Sequence, residues 1–359
     1  MKAIITGVGH NLPEHRLTNA DLEKLVDTSD EWITTRTGIK ERRILDKEEG
    51  TSHMAIKAGE MALNHAGISP DEVDVVLTAT VTPDQLVPSM AAVVQRELGA
   101  SRCWGYDLNG GCTGFLCAFT TAAQFIESGR YQKVLVIGAD KMSAIVDYED
   151  RNTCILFGDG AGAAVVESTD DENTGLKDFI LHLDGIGEDH LYMTAGGSRS
   201  PATLSTVSDK QHYLYQDGRT VYKHAVNGMA DVSLRVLERN GLNGEDVGLF
   251  VPHQANYRII DAVAKKVGLS EDRVMINVNK YGNTTAGTIP IALSEAYEEN
   301  RMKKGDWIVM AAFGAVTISP SPLSNVEEFS IRSPSWCAGN SLRSSLHANL
   351  GSVGNTVRL

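Results

Sequence analysis

A chain of 359 residues with 42% hydrophobic content can bury a large core and is long enough for two domains or two fused similar halves. Its formal net charge of -13 argues against general nucleic-acid binding and leaves the fold open. The most apolar runs, 134–139 and 308–313, are strand-length rather than membrane-length, and the five cysteines, at 103, 112, 117, 154 and 337, match neither a disulfide framework nor a zinc spacing. With no signal-peptide pattern in the first residues, the reading is a cytoplasmic protein with free thiols and no membrane span.

The chain opens on a short apolar strand over residues 1–7. Helical spacing over 52–66 lines up Ala55, Ala58, Ala62 and Ala66 as a small-residue face, followed by a strand at 73–82 and a helix at 89–98. Residues 103–108 can be extended, and 113–128 is helical, with Ala118, Thr121, Ala122, Phe125 and Ile126 recurring at helical spacing. Strands at 134–140 and 162–167 lead to a polar connector, 168–173. Residues 194–209 are a glycine- and serine-rich surface excursion. Beyond it, helices at 220–239, 255–267 and 289–299 alternate with strands at 248–251 and 307–313. This order is α/β, with sheets buried on both faces and helices packed between or against them. Two halves, 1–170 and 171–315, are expected, then a tail over 316–359 that is Ser-rich, interrupted by Pro320, Pro322 and Pro334, and expected to hold little order.

Three segments have the makings of a site. Leu108-Asn109-Gly110-Gly111-Cys112-Thr113-Gly114-Phe115 puts Cys112 at a strand-to-helix elbow, where backbone N–H groups and the dipole are expected to favour the thiolate and glycines allow close approach. Val251-Pro252-His253-Gln254-Ala255-Asn256 sets His253 between a strand and a helix, and Tyr281-Gly282-Asn283-Thr284 sets Asn283 in a similar loop. The scattered His190, His212, His224 and His253 offer no ligand pair, so no metal is expected. Cys, His and Asn together admit two chemistries. A hydrolase would use His as the base for Cys. A carbon–carbon bond-forming synthase would use His and Asn as donors to an enolate oxygen.

The ordered motifs choose between them. Ile5-Thr6-Gly7-Val8-Gly9 with Leu12-Pro13, Asp27-Thr28-Ser29-Asp30-Glu31-Trp32-Ile33, Thr35-Arg36-Thr37-Gly38-Ile39, the Cys112 elbow, Phe157-Gly158-Asp159-Gly160-Ala161-Gly162-Ala163 and the His253 and Asn283 segments resemble the beta-ketoacyl-acyl carrier protein synthase III family. The resemblance runs from residue 1 to about 315 and implies a thiolase-like fold of layered αβαβα arrangement. It implies that Cys112 takes an acyl group from acyl-CoA and that malonyl-acyl carrier protein then decarboxylates and condenses, with His253 and Asn283 as partners. It further implies CoA contacts from Thr28, Trp32, Arg36, Arg151 and Asn256, with the adenine between Trp32 and Arg151. Lys223, Arg258, Lys265 and Lys266 match a basic ridge for an acidic carrier protein. Phe313 would pack near the thiol, and the backbone N–H groups of Cys112 and the Gly314-Ala315 turn would form the oxyanion hole. Val87 would reach across a homodimer interface into the acyl pocket, where a side chain of this size suits primers longer or more branched than acetyl. No tightly bound cofactor is implied.

After Phe313 the family's closing strand is replaced by Ala315-Val316-Thr317-Ile318-Ser319-Pro320, with Val316 where a tight turn has glycine. Val316 to Ser319 could begin the strand, but Pro320 and Pro322 cannot serve a central one. The sequence therefore leaves alternatives beside the initiating condensing enzyme: an acyltransferase of secondary metabolism with the same three residues, a silent variant with an altered terminus, and a cysteine hydrolase.

Overall fold

The computed structural model describes residues 1–313 and 315–320. The first part of the chain builds β1 (Lys2–Asn11), β2 (Arg16–Thr18), α1 (Asn19–Leu22), α2 (Asp30–Thr37), β3 (Glu41–Arg43), α3 (Thr51–Ala66), β4 (Val75–Ala79), α4 (Met90–Leu98), β5 (Trp104–Leu108), α5 (Gly114–Glu127), β6 (Lys133–Lys141) and β7 (Asp159–Thr169). The remainder builds β8 (Asp178–Leu181), β9 (Leu191–Tyr192), α6 (Leu204–Ser208), β10 (Tyr215–Gln216), α7 (Gly218–Arg239), β11 (Val247–Pro252), α8 (Tyr257–Val267), α9 (Val278–Tyr281), α10 (Thr288–Glu298), β12 (Trp307–Ala312) and β13 (Ala315–Pro320).

Strands β1-β7-β6-β4-β5 form one sheet and β11-β12-β13-β8 another, so each large sheet draws on one half of the chain. Alternation along the strands sends successive residues to different cores. In β6, Val134 and Val136 join the core around α5 and α10, while Leu135 and Ile137 join the core under α3 and α4. In β12, Ile308 and Met310 face that same α5/α10 core, while Val309 and Ala311 face the core under α7 and α8. Helix α3 packs on β1, β6 and β7, α5 touches both sheets, and α7 covers β12 and β13. The order of layers is α3/α4, first sheet, α5/α10, second sheet, α7/α8, which is αβαβα.

Three local expectations change. Residues 194–209 are not wholly irregular: Thr203 caps the short helix α6 by accepting from the Thr206 N–H, with the Thr206 hydroxyl bonding back. Val316 lies in strand register, paired with Ala311 and Ile180, rather than in a tight turn. Strand β13 crosses the boundary expected at 315 and sits between two neighbours despite Pro320. Pro320 is its last residue and among the described residues pairs only with Trp307, because β8 reaches no further than Ile318. Pro322, Pro334 and the rest of the expected tail lie outside the described residues. Among the described residues no helix is long and apolar enough to cross a membrane.

Candidate active site

Cys112 occupies a single 3-10 turn, Gly111–Thr113, between β5 and α5. Gly111 makes the elbow at φ +52°, a conformation other side chains adopt only with strain. The thiol keeps some access to solvent. Its pKa runs against the sequence expectation: burial pushes it up to about 12, the Asp140 carboxylate adds to the shift, and only a backbone hydrogen bond opposes it. Desolvation outweighs the favourable elbow, so the sulfur rests as a thiol.

His253 follows β11, and its backbone N–H donates to the Ala311 carbonyl at 2.7 Å, locking the turn onto β12. The ring is buried, with Nδ1 2.6 Å from Thr288 Oγ1 and Nε2 without a partner among the described residues. Burial lowers its pKa to about 4, so the imidazole is neutral at neutral pH. Asn283 is fixed by its backbone: its N–H donates to Leu156 O at 2.8 Å and its carbonyl accepts from the Gly158 N–H at 3.1 Å. Its Oδ1 accepts from the Thr285 N–H at 2.9 Å, leaving Nδ2 as the end that donates.

Residues 283–288 join these elements. An added Cβ on Gly114, two residues after Cys112, would meet Ala286 Cβ at 3.6 Å, so the start of α5 lies against this segment. The Ala286 carbonyl sits where a Gly138 side chain would be, and the Ala286 N–H donates to Asp140 Oδ2 at 3.0 Å. Thr288 supplies the link to His253. Asp140 is fully buried and also accepts, through Oδ1, from Thr80 Oγ1, the Val81 and Thr82 N–H groups and Thr82 Oγ1. Burial still pushes its carboxyl up to about 6. Sequence reading missed Asp140 and Thr288; a buried Asp ending a β-strand is a usable signal, whereas nothing local distinguishes Thr288.

The remaining expected residues fall into two groups and two outliers. Trp32 is half-buried on α2, with the Arg151 guanidinium 4.8 Å and the Arg36 guanidinium 5.1 Å from its ring centroid. Arg151 also pairs with Asp27 at 3.4 Å, and Thr28 Oγ1 is buried without a partner among the described residues. Asn256 is already committed as the cap of α8: Oδ1 accepts from the Arg258 N–H at 2.8 Å and Nδ2 donates to Arg36 O at 3.1 Å. On the α7/α8 surface Lys223, Arg258, Lys265 and Lys266 are all exposed. Arg258 lies over Tyr222, Lys266 donates to Asn227 Oδ1 at 2.7 Å, and Lys265 is paired with Asp261 at 2.8 Å. Phe313 lies against Gly228 of α7, and Val87 is 84% exposed. Gly314 lies outside the described residues, so the far side of the expected oxyanion hole does too. A cavity of about 560 Å³ lined by His15, Asp46, Glu49, His53 and Lys57 includes none of these residues.

Five alternating layers with helices enclosed between two sheets are the thiolase-like arrangement. Residues 106–185 match the family described as 3-oxoacyl-[acyl-carrier-protein] synthase III, and 237–317 match its C-terminal domain. The beta-ketoacyl-[acyl-carrier-protein] synthase III of Chlorobium phaeovibrioides is 51% identical over 317 residues, 88% of this chain and 96% of that one. The solved 3-oxoacyl-[acyl-carrier-protein] synthase III of Aquifex aeolicus superposes with TM-score 0.82 at 44% identity, covering 89% of this chain and 99% of that one. The priming beta-ketosynthase of the R1128 polyketide pathway superposes with the same TM-score at 33% identity, covering 89% and 96%. The chain belongs to the beta-ketoacyl-acyl carrier protein synthase III family, the initiating condensing enzymes of fatty acid synthesis. It is an acyltransferase, and the secondary-metabolism, silent and hydrolase alternatives are not favoured.

Proposed function

We propose that the chain moves an acyl group from an acyl-CoA onto Cys112 and condenses it with malonyl-acyl carrier protein. The observation that carries this reading is the 283–288 segment, which abuts the Cys112 elbow, holds Asn283 and reaches His253 through Thr288. In the first half-reaction the sulfur of Cys112 bonds the acyl carbonyl carbon, the bond to the CoA sulfur breaks, and the thiol proton ends on that departing sulfur. A thiol held near 12 provides no standing thiolate, so proton loss belongs to the transfer itself. In the second, malonyl carboxylate leaves as CO2 and its bonding pair forms an enolate. Donation from His253 Nε2 and Asn283 Nδ2 stabilises the enolate oxygen. The enolate carbon then attacks the acyl-Cys112 carbonyl, and the sulfur leaves as thiolate and takes a proton from solvent.

Trp32 and Arg151 offer an aromatic face and a planar cation for the adenine, with Thr28 and Arg36 at the nucleotide end and Asn256 toward the pantetheine. A base entering there must part the Arg151–Trp32 stack. The ridge of Lys223, Arg258, Lys265 and Lys266 receives the acidic carrier protein on an enzyme whose own net charge is -13, with Lys265 contributing least because Asp261 pairs with it. Leu86 and Val87, 85% and 84% exposed, and the edge position of β5 support a homodimer in which Val87 borders the partner's acyl pocket and admits longer or branched primers. The halves 1–170 and 171–315 then carry the nucleophile and the two donors respectively, in a cytoplasmic enzyme with no tightly bound cofactor. Intact-protein and peptide mass spectrometry after incubation with acetyl-, isobutyryl- and hexanoyl-CoA tests the first step. One acyl adduct on Cys112, absent in Cys112→Ala, is expected; no adduct from any primer on soluble protein would contradict it.

A further inference from the structure

Thr288 has one hydroxyl proton and two neighbours that can accept it. Its Oγ1 lies 2.6 Å from His253 Nδ1 and 3.0 Å from the Thr285 carbonyl oxygen. A nitrogen and an oxygen at 2.6 Å have a proton between them, since two facing lone pairs repel. If Nδ1 owned that proton, the hydroxyl would turn to Thr285 O, and Nε2 would face the site as a bare lone pair. If the hydroxyl donates to Nδ1, Nε2 carries the hydrogen. The Thr285 carbonyl already accepts one hydrogen bond, from the Thr288 backbone N–H that closes the 3-10 turn of Thr285–Gly287, and its second lone pair competes for the hydroxyl from 3.0 Å against Nδ1 at 2.6 Å. The imidazole's other nitrogen has no partner among the described residues that would set the tautomer from that side. The same segment decides the amide of Asn283: the Thr285 N–H occupies Oδ1, and Thr285 adopts φ +50°, rare for a β-branched residue, in the turn that makes this bond.

We infer that Thr288 is a positioning residue whose hydroxyl donates to His253 Nδ1 and thereby holds the ring in the Nε2–H form, while Thr285 holds the Asn283 amide with Nδ2 outward. Two donors are thus set from residues 285 and 288 before substrate arrives. This rests on the reading of His253 as a donor to the enolate oxygen.

The test uses the full chain and measures the two half-reactions separately: acyl transfer to Cys112 by mass, and CO2 release from malonyl-acyl carrier protein by the acylated enzyme. Thr288→Val keeps the branched shape and removes the hydroxyl. CO2 release is expected to fall about tenfold or more, clearly beyond any loss of acyl transfer, and Thr288→Ser is expected to recover most of it. Equal losses in both half-reactions, or no loss, would overturn the inference. His253→Ala separates the two levels. If CO2 release survives that change, the donor reading itself fails; if it is lost there but intact in Thr288→Val, only the role of Thr288 fails. The ring 15N shifts of the wild-type enzyme labelled at histidine decide the matter without any variant: a protonated Nε2 on His253 supports the assignment, and a protonated Nδ1 contradicts it.

Discussion

At the residue scale the main lesson is that a good position for a nucleophile does not by itself make a thiolate. Gly111 and the turn before α5 supply the geometry, yet burial and the Asp140 charge hold the Cys112 thiol near 12. Raising the pKa means the ionised fraction at neutral pH is very small and grows about tenfold per pH unit. Alkylation of Cys112 by iodoacetamide should therefore be slower at pH 7 than that of a free cysteine peptide. Its rate should climb about tenfold per unit from pH 7 to 10. A rate that levels off near pH 7 would show a stabilised thiolate instead. Cys112, His253 and Asn283 could be singled out as candidates because each stands in a short segment whose glycine, proline or amide neighbours mark a strand-to-loop junction. Thr288 and Asp140 were not, because their partners lie 35 and 146 residues away in the chain. A lone threonine at the start of a helix and an aspartate ending a strand have ordinary local explanations.

At the element scale the strand and helix periods carried the architecture. The helix expected over 113–128 is α5, Gly114–Glu127, and the strand over 134–140 lies within β6, Lys133–Lys141. Where reading failed, it judged a residue's suitability without its ladder. Pro320 is tolerated at the end of β13 because among the described residues its only sheet partner is Trp307, which a sequence does not display. The same close packing gives a contrast between two glycines. Gly59 lies inside α3, where an added Cβ would make ordinary contacts at 3.4 to 3.5 Å with Leu98, Leu135 and Ile137. Gly59→Ala should leave stability unchanged or raise it by up to about 1 kcal/mol through helix propensity. Gly138 lies on β6 with the Ala286 carbonyl in the space of its missing side chain. Gly138→Ala should cost about 1–3 kcal/mol by overpacking and also lower condensation, because the 283–288 segment must move. Urea unfolding of both variants checks the pair. Equal stabilities would show that the segment yields freely and is not a rigid platform.

At the scale of the whole molecule, two sheets from successive parts of the chain enclose α5 and α10, and the 283–288 segment lies against the start of α5. Water access to an acyl group on Cys112 matters because the same three residue types serve hydrolysis when water has access. The family was legible from ordered motifs spread over both halves, whereas the fate of the acyl group is a property of the assembled site. The most direct measurement is a single turnover of enzyme pre-acylated on Cys112, mixed with malonyl-acyl carrier protein, with CO2, 3-oxoacyl-acyl carrier protein and free acyl acid all quantified. The account predicts one CO2 and one 3-oxoacyl product for each acyl group lost from Cys112, with no free acid beyond the blank. Loss of the acyl group to water, or CO2 release without carbon–carbon bond formation, would contradict it.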